Sequence, residues 1–209
     1  MKSIIIFGAS GRVGQKLVEY GLENKHKITA FVRDMSKIKI TSPNLEVISG
    51  DVFDSEGVIK AIEGKEIVIS ALSGRATKPD YSVLSAGVQN MINGMHKFNL
   101  TRFLNVAGAG ILDDREFGLR RNRPNYPETF RLVSAENWKV YQYLQNSSIN
   151  WTMVCAPEMP ESGKTEIYRT AIDYLPDNGR RISVEDVADF ILKNLDTKSI
   201  FKSRIGIAY

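Results

Sequence analysis

Cysteine and histidine are scarce in this chain. The 209 residues include one cysteine, Cys155, and two histidines. An internal disulfide is therefore excluded, and a single cysteine is typical of the reducing cytoplasm. His26 and His96 lie far apart in the sequence, so no metal-ligand spacing links them. We expect a cytoplasmic protein without a metal site.

Long apolar runs and basic runs are absent as well. No apolar run approaches the roughly 18 residues of a membrane span, and the short run near the N-terminus is too brief for a signal peptide. The net charge is +4 at pH 7, but no Lys/Arg-rich run of the nucleic-acid type occurs. We expect neither a membrane nor nucleic acid as a partner, and the mild positive charge favours a small anionic ligand. Nothing in the sequence specifies an oligomeric state.

Short apolar runs, rich in Ile and Val, alternate with longer amphipathic stretches. Continuously apolar runs of this length are typical of strands that are buried on both faces of a sheet. The predicted strands are 4–7, 28–32, 45–49, 66–71, 102–106, 151–155 and 203–208, and the predicted helices between them are 12–24, 55–62, 81–98 and 128–146.

This alternation predicts one α/β domain over residues 1–209, with a doubly wound parallel sheet and right-handed crossovers. A further helix is expected after Ser183, which has an acid three residues later and so resembles a capping residue. Asp186 and Asp189 are expected on a face of that helix. The C-terminal part should cover the carboxyl edge of the sheet as a small cap on the substrate side.

A glycine-rich turn, F-G-A-S-G-R-V-G, follows the first predicted strand over residues 7–14. Free N–H groups and the dipole at a helix N-terminus attract a pyrophosphate. Gly8 would make the tight turn, Gly11 would let the backbone approach the phosphates, and Gly14 would let the helix pack on the strand. An ordinary glycine-rich turn is the alternative, but the position at the first strand–helix junction favours a dinucleotide site. The candidate residues in this turn are Gly8, Ser10, Gly11, Arg12, Val13 and Gly14.

Arg33 at the end of the second strand indicates which dinucleotide is preferred. An NAD site places an acid here to accept from the ribose 2′-OH, whereas a guanidinium can bind a 2′-phosphate through two hydrogen bonds. Arg12 would approach the same phosphate from the other side. We therefore expect NADP(H) as the preferred cofactor. Asp34 keeps NAD(H) possible, and two solvated surface arginines are the alternative.

Loops after the later strands should complete the cofactor site, because the carboxyl ends of parallel strands meet at one edge. The loop after the third strand would flank the adenine, with Asp51 accepting from its amino group. The next two loops would line the ribose, the pyrophosphate and the nicotinamide. Each could instead be a plain turn. The candidates in these loops are Asp51, Val52, Leu72, Ser73, Arg75, Ala107, Gly108 and Pro157.

Four motifs, G-A-S-G-R-V-G, V-R-D, G-D-V and I-S-V-E-D-V-A-D-F, together resemble the atypical short-chain dehydrogenase/reductase superfamily of NAD(P)-binding Rossmann proteins. The resemblance extends over nearly the whole chain. Residues 137–144 and 149–157 are similar to small NADPH-dependent flavin reductases of the biliverdin-reductase-B type. This resemblance implies a Rossmann fold, a nicotinamide cofactor and a flavin, quinone or similar planar molecule as hydride acceptor.

The catalytic pair that this superfamily usually carries, Tyr-x-x-x-Lys, is missing. No tyrosine has a lysine four residues later, and the resemblance matches the pair to Val133 and Asn137. The serine that often follows the fifth strand matches Gly108, and a histidine of the flavin reductases matches Glu158. Ordinary alcohol–ketone chemistry is therefore poorly supported. Glu158, which follows Pro157 at a strand end, is the one candidate catalytic group.

A planar acceptor does not require a built-in acid, because the cofactor supplies the hydride and the protein need only hold the two rings together. Residues 113–131 are the expected acceptor-side loop, with aromatic faces for stacking and guanidinium groups for a flavin phosphate. A plain surface loop is the alternative, and a non-catalytic NADP(H)-binding redox sensor is the second functional hypothesis. The arginines and aromatics of this loop are Arg115, Arg120, Arg121, Arg123, Arg131, Phe117, Tyr126 and Phe130.

Overall fold

The structure, a computed structural model, describes residues 1–73 and 82–209. Its strands are β1 (Ser3–Phe7), β2 (Lys27–Val32), β3 (Leu45–Ser49), β4 (Ile67–Ser70), β5 (Arg102–Gly108), β6 (Asp113–Asp114), β7 (Gly118–Leu119), β8 (Asn150–Ala156), β9 (Arg169–Ile172) and β10 (Ser203–Ala208). Its α-helices are α1 (Arg12–Glu23), α2 (Ser55–Ile62), α3 (Val83–Lys97), α4 (Arg131–Gln145) and α5 (Val184–Lys193).

Eight of these strands form one sheet in the order β3-β2-β1-β4-β5-β8-β10-β9, and β6 and β7 form a separate hairpin. Within the large sheet every neighbouring pair is parallel except β10 and β9. The predicted doubly wound parallel sheet is therefore confirmed. β9 and the β6–β7 hairpin were not predicted. β9 lies at an edge of the sheet, and its sequence is half polar. It therefore lacks the continuous apolar run that is typical of a central strand.

The strands are apolar on both sides because helices cover both faces of the sheet. On one face α1 packs against α5, and on the other α2, α3 and α4 pack in sequence. Ile4 and Ile6 of β1 contribute to the first core, while Ile5 and Phe7 contribute to the second. All four side chains are fully buried.

Helix ends follow the capping residues in the sequence. The Asp54 carboxylate accepts from the Gly57 N–H at 3.1 Å at the start of α2, and Gly64 after its end has a φ of +71°. The Ser183 hydroxyl accepts from the Asp186 N–H at 3.0 Å at the start of α5. The predicted helix 128–146 is shorter, because its first residues form the 3-10 turn Glu128–Phe130 directly after Pro127.

Asp186 and Asp189 lie on α5 as predicted, but they are buried and hold the preceding loop. The Asp186 carboxylate accepts from the N–H groups of Thr165 and Glu166 at 2.9 Å each and from the Tyr209 hydroxyl at 2.7 Å. Asp189 accepts from the Tyr168 hydroxyl at 2.9 Å. α5 packs on α1 at a face of the sheet. The part that reaches the carboxyl edge is therefore the start of the loop after β8.

Among the described residues, no helix combines the length and the apolar character that a bilayer crossing needs.

Candidate active site

A cleft runs along the carboxyl ends of the parallel strands and has two halves that share residues 71–73 and Gly11. The β2 half lies over the ends of β1, β2 and β3. The β5 half lies over the ends of β5 and β8 and has a volume of about 730 Å³. The halves meet where the strand order reverses between β1 and β4. Open α/β sheets bind their ligands at such a reversal.

The glycine turn between β1 and α1 forms the junction of the two halves. Gly8 has a φ of +77°, and a Cβ there would lie 2.6 Å from the Ala71 carbonyl oxygen, so only glycine fits. A Cβ on Gly14 would collide with the Gly8 carbonyl oxygen. Gly11 directly precedes α1 as its N-cap, so the helix has no side-chain cap, and its first turn contains no acid. The first N–H groups of α1 are therefore available to an anion.

Arg33 shares the β2 half with Lys37, a residue that the sequence reasoning missed. Between them, the Asp34 carboxylate accepts from the Ser36 hydroxyl at 2.7 Å and from the Ser36 N–H at 3.0 Å. These hydrogen bonds lower the pKa of Asp34 and begin the 3-10 turn Met35–Lys37. Lys37 could have been predicted from the D-x-S pattern at residues 34–36, because this pattern indicates a turn that brings Lys37 back toward Arg33.

Arg12 does not join Arg33. Its guanidinium donates to the Met159 carbonyl oxygen and lines the β5 half, whereas Arg33 lines the β2 half. The expectation that both arginines converge on one phosphate is thus corrected by the structure. The loop after β8 supplies an acceptor to Arg12, and Lys37 is the basic neighbour of Arg33.

The remaining strand-end candidates lie along the same cleft. Asp51 and Val52 line the β2 half, where Asp51 also accepts from the Phe53 N–H at 3.0 Å. Leu72 and Ser73 line both halves, and Ser10 lines the β2 half. Arg75 lies outside the described residues. The candidates that line the β5 half are Val13, Ala107, Gly108, Pro157 and Glu158.

Helix α4 faces the β5 half at the two positions that the resemblance matched to the missing catalytic pair. Val133 and Asn137 both line the cavity. Asn137 is buried, and its Nδ2 would lie 3.9 Å from a Cβ on Gly108. Neither side chain has a titrating proton, so α4 supplies shape and an amide here but no acid.

Tyr126 brings a hydroxyl to the cavity from the loop before α4. A Cβ on Gly110 would collide with this hydroxyl and would lie 2.6 Å from the Ser134 Oγ, so the glycine makes room for both groups. Burial raises the pKa of Tyr126, although Ser134 and the charges of nearby arginines act in the opposite direction. The phenol is therefore protonated at neutral pH and can donate. The sequence reasoning named Tyr126 only as an aromatic surface.

Residues 113–131 reach the cavity in part. Arg120, Arg123, Tyr126 and Phe130 line it, whereas Phe117 and Arg115 do not. Within the described ranges, no group of three or more His, Cys, Asp or Glu side chains is placed to hold a metal.

A family model described as NAD(P)H-binding matches residues 8–198. The chain belongs to this NAD(P)H-binding family. The uncapped α1 terminus, the glycine cradle and the two-part cleft fit the dinucleotide that the family name gives.

Two curated relatives show how far the similarity extends. YwnB of Bacillus subtilis, described as uncharacterized, is 28% identical over 198 residues, covering 91% of this chain and 89% of that one. The phenylcoumaran benzylic ether reductase TP7 of Nicotiana tabacum is 25% identical over 214 residues. This match covers 92% of the NAD(P)H-binding chain but only 64% of the tobacco enzyme.

Two solved structures share the whole fold of this NAD(P)H-binding protein. A protein of Streptococcus pneumoniae, provisionally assigned as an NADH-flavin reductase, has a TM-score of 0.85 and 25% identity, with 100% of this chain and 99% of that chain covered. A protein of Bacteroides thetaiotaomicron, provisionally assigned as an epimerase, has a TM-score of 0.89 and 28% identity, with 100% and 97% covered. The two names imply different reactions, so the reaction of this protein has to be inferred from the residues of its own site.

Proposed function

We propose that this protein is an NADPH-dependent reductase that passes a hydride to a flavin, a quinone or a similar planar acceptor. The observation that carries the proposal is the cleft, in which the glycine turn lies between the β2 half, lined by Arg33 and Lys37, and a cavity of about 730 Å³. The bound cofactor supplies the hydride. The protein would position the two rings and exclude water.

The preference for NADPH rests on the charges of the β2 half. Arg33 and Lys37 line it together with Asp34 and Asp51, and a 2′-phosphate is the group that the two cations would bind. The Asp34 carboxylate also lines this half, but its Oδ1 accepts both the hydroxyl and the N–H of Ser36, so the carboxylate is less available to a ribose hydroxyl.

The acceptor side rests on the walls of the β5 half. Pro127, Phe130 and Val133 supply apolar surface, and Gly108 at the end of β5 adds backbone without a side chain. The volume lies in the range of cavities that hold drug-sized planar molecules. These residues would hold the ring of the acceptor.

Tyr126 would donate a hydrogen bond to the acceptor atom that gains charge as the hydride arrives. Glu158, the catalytic candidate from the sequence, lines the same cavity but is exposed. The reductase names of the tobacco and pneumococcal relatives support reduction as the reaction class.

The test is steady-state oxidation of NADPH in the presence of FMN, FAD, riboflavin or menadione. The proposal predicts acceptor-dependent oxidation that is faster with NADPH than with NADH. Tight NADPH binding without turnover of any acceptor would instead favour the non-catalytic redox sensor.

A further inference from the structure

We propose that the β5 half contains a subsite for an anionic group on the acceptor, and that Arg120 binds this group. The inference rests on the proposed reductase function and narrows its substrate class to planar acceptors with a phosphate or carboxylate. Arg120 lines the cavity and is partly buried. Its guanidinium makes no hydrogen bond or ion pair with other residues that the structure describes.

The other arginines around this cavity are already engaged. Arg121 donates to the Ser134 carbonyl at 3.3 Å and lies over the Trp138 ring at 5.2 Å. Arg123 pairs with the Asp114 carboxylate. Arg131 donates to the Arg121 carbonyl at 3.0 Å and pairs with Glu128. Arg12 donates to the Met159 carbonyl. Among the residues 1–73 and 82–209, Arg120 is thus the arginine of the cavity wall whose guanidinium has no partner.

The charges near Arg120 do not neutralise it. Burial lowers the pKa of Arg120 and the neighbouring Arg123 lowers it further, yet a guanidinium stays ionised at neutral pH. The Asp114 carboxylate lies nearby but accepts from Arg123 and from the N–H groups of Glu116 and Phe117. Glu158 lines the same cavity without forming an ion pair with Arg120 in the described structure. A cation that is partly removed from water without a partner is unfavourable, and a bound anion relieves that cost.

The surroundings of Arg120 define the shape of the ligand. A guanidinium binds phosphate or carboxylate through parallel hydrogen bonds. Asn125 lies in the same wall, and the apolar surface of Pro127 and Phe130 follows directly in the chain. A flat apolar ring with a charged tail matches this sequence of polar and apolar wall. FMN and riboflavin share one ring system and differ in the phosphate, so they form the matched pair of probes.

The experiment compares FMN with riboflavin as acceptors for the wild type, Arg120→Leu and the control Arg115→Leu. Arg115 lies in the same segment, but it is exposed and outside the cavity. We expect Arg120→Leu to raise KM for FMN about tenfold or more, the usual effect of losing a charge-assisted hydrogen bond, and to leave KM for riboflavin unchanged. Arg115→Leu should resemble the wild type, and Arg120→Lys should restore part of the FMN preference.

Binding separates this inference from the reductase proposal. Flavin fluorescence is titrated with each protein in the presence of NADP⁺, so no turnover is needed. Tighter binding of FMN than of riboflavin by the wild type, lost in Arg120→Leu, supports the subsite even if no acceptor turns over. Equal binding of FMN and riboflavin by the wild type overturns it, as does an equal loss for both flavins in Arg120→Leu when circular dichroism shows a folded protein.

Discussion

At the scale of single residues, the adjacent side chains of Arg33 and Asp34 carry opposite charges and make different contacts. Arg33 lines the β2 half beside Lys37, whereas the adjacent Asp34 turns its carboxylate to Ser36. All three residues line the cleft, but the Asp34 Oδ1 is occupied by its own turn, while Arg33 and Lys37 present cations. This arrangement is what the NADPH preference in our account depends on.

Arg33→Ala should weaken NADPH binding about tenfold, because it removes charge-assisted hydrogen bonds to the 2′-phosphate. NADH lacks that phosphate, so its affinity should change little. Lys39→Ala, an exposed lysine outside the cleft, serves as the control. Titration of the protein with each cofactor by calorimetry measures both affinities. An equal loss for NADPH and NADH would show that Arg33 does not bind the phosphate.

Tyr126→Phe should lower kcat/KM for a quinone acceptor about tenfold, since it removes a hydrogen bond that forms as charge develops. The dissociation constant of NADPH should not change. Because burial raises the pKa of Tyr126 above its ordinary value, the donor stays protonated through the neutral range and its contribution is lost only in strongly alkaline solution. Tyr143→Phe, an exposed tyrosine of α4, is the matched control. Unchanged kcat/KM in Tyr126→Phe would remove the hydroxyl from the mechanism.

At the scale of elements, the sequence predicts most of the sheet because each central strand is a short apolar run between amphipathic helices. The bounds of β3 and β10 match the prediction at both ends. β9 could not be predicted in the same way, since its sequence R-T-A-I is half polar and mostly exposed and lacks a continuous apolar run. The buried role of Asp186 was also hidden. Its partners Thr165 and Tyr209 are more than twenty residues away.

Asp186→Asn should lower the free energy of unfolding by about 2 kcal/mol at pH 7, because it weakens hydrogen bonds to a charged acceptor. Burial alone would raise the pKa of Asp186, but hydrogen bonds from Tyr209, Thr165 and Glu166 outweigh it and lower the pKa. A folded-state pKa below the unfolded value stabilises the protein above that unfolded value, about 3.9. This stability is lost as pH falls through the folded-state pKa.

Urea unfolding at several pH values measures this contribution. The difference between the wild type and Asp186→Asn should shrink as the pH falls below about 4. The exposed Asp177→Asn should match the wild type at every pH. A difference that stays constant down to pH 3 would mean that the carboxylate charge is not what holds the loop.

At the scale of the whole molecule, the cleft unites strand-end loops that the sequence could place at one edge but not orient. The glycine turn and the loops after β3, β4, β5 and β8 all line it. The sequence could not predict that Arg12 and Arg33 lie in different halves, because Met159, the partner of Arg12, is 147 residues away. The position of the Tyr126 hydroxyl in the cavity likewise could not be predicted from the sequence, because it depends on how the loop before α4 packs against Gly110. Which loops form the site follows from topology, while the direction of each side chain follows from packing.

The most direct test of the reductase account is rapid anaerobic mixing of the protein–NADPH complex with FMN. Nicotinamide oxidation and flavin reduction should then proceed at the same rate and in equal amounts. Both should slow severalfold when the transferred hydrogen of NADPH is replaced by deuterium. The account is contradicted if the protein binds NADPH but the flavin, and menadione in a parallel experiment, remain oxidised.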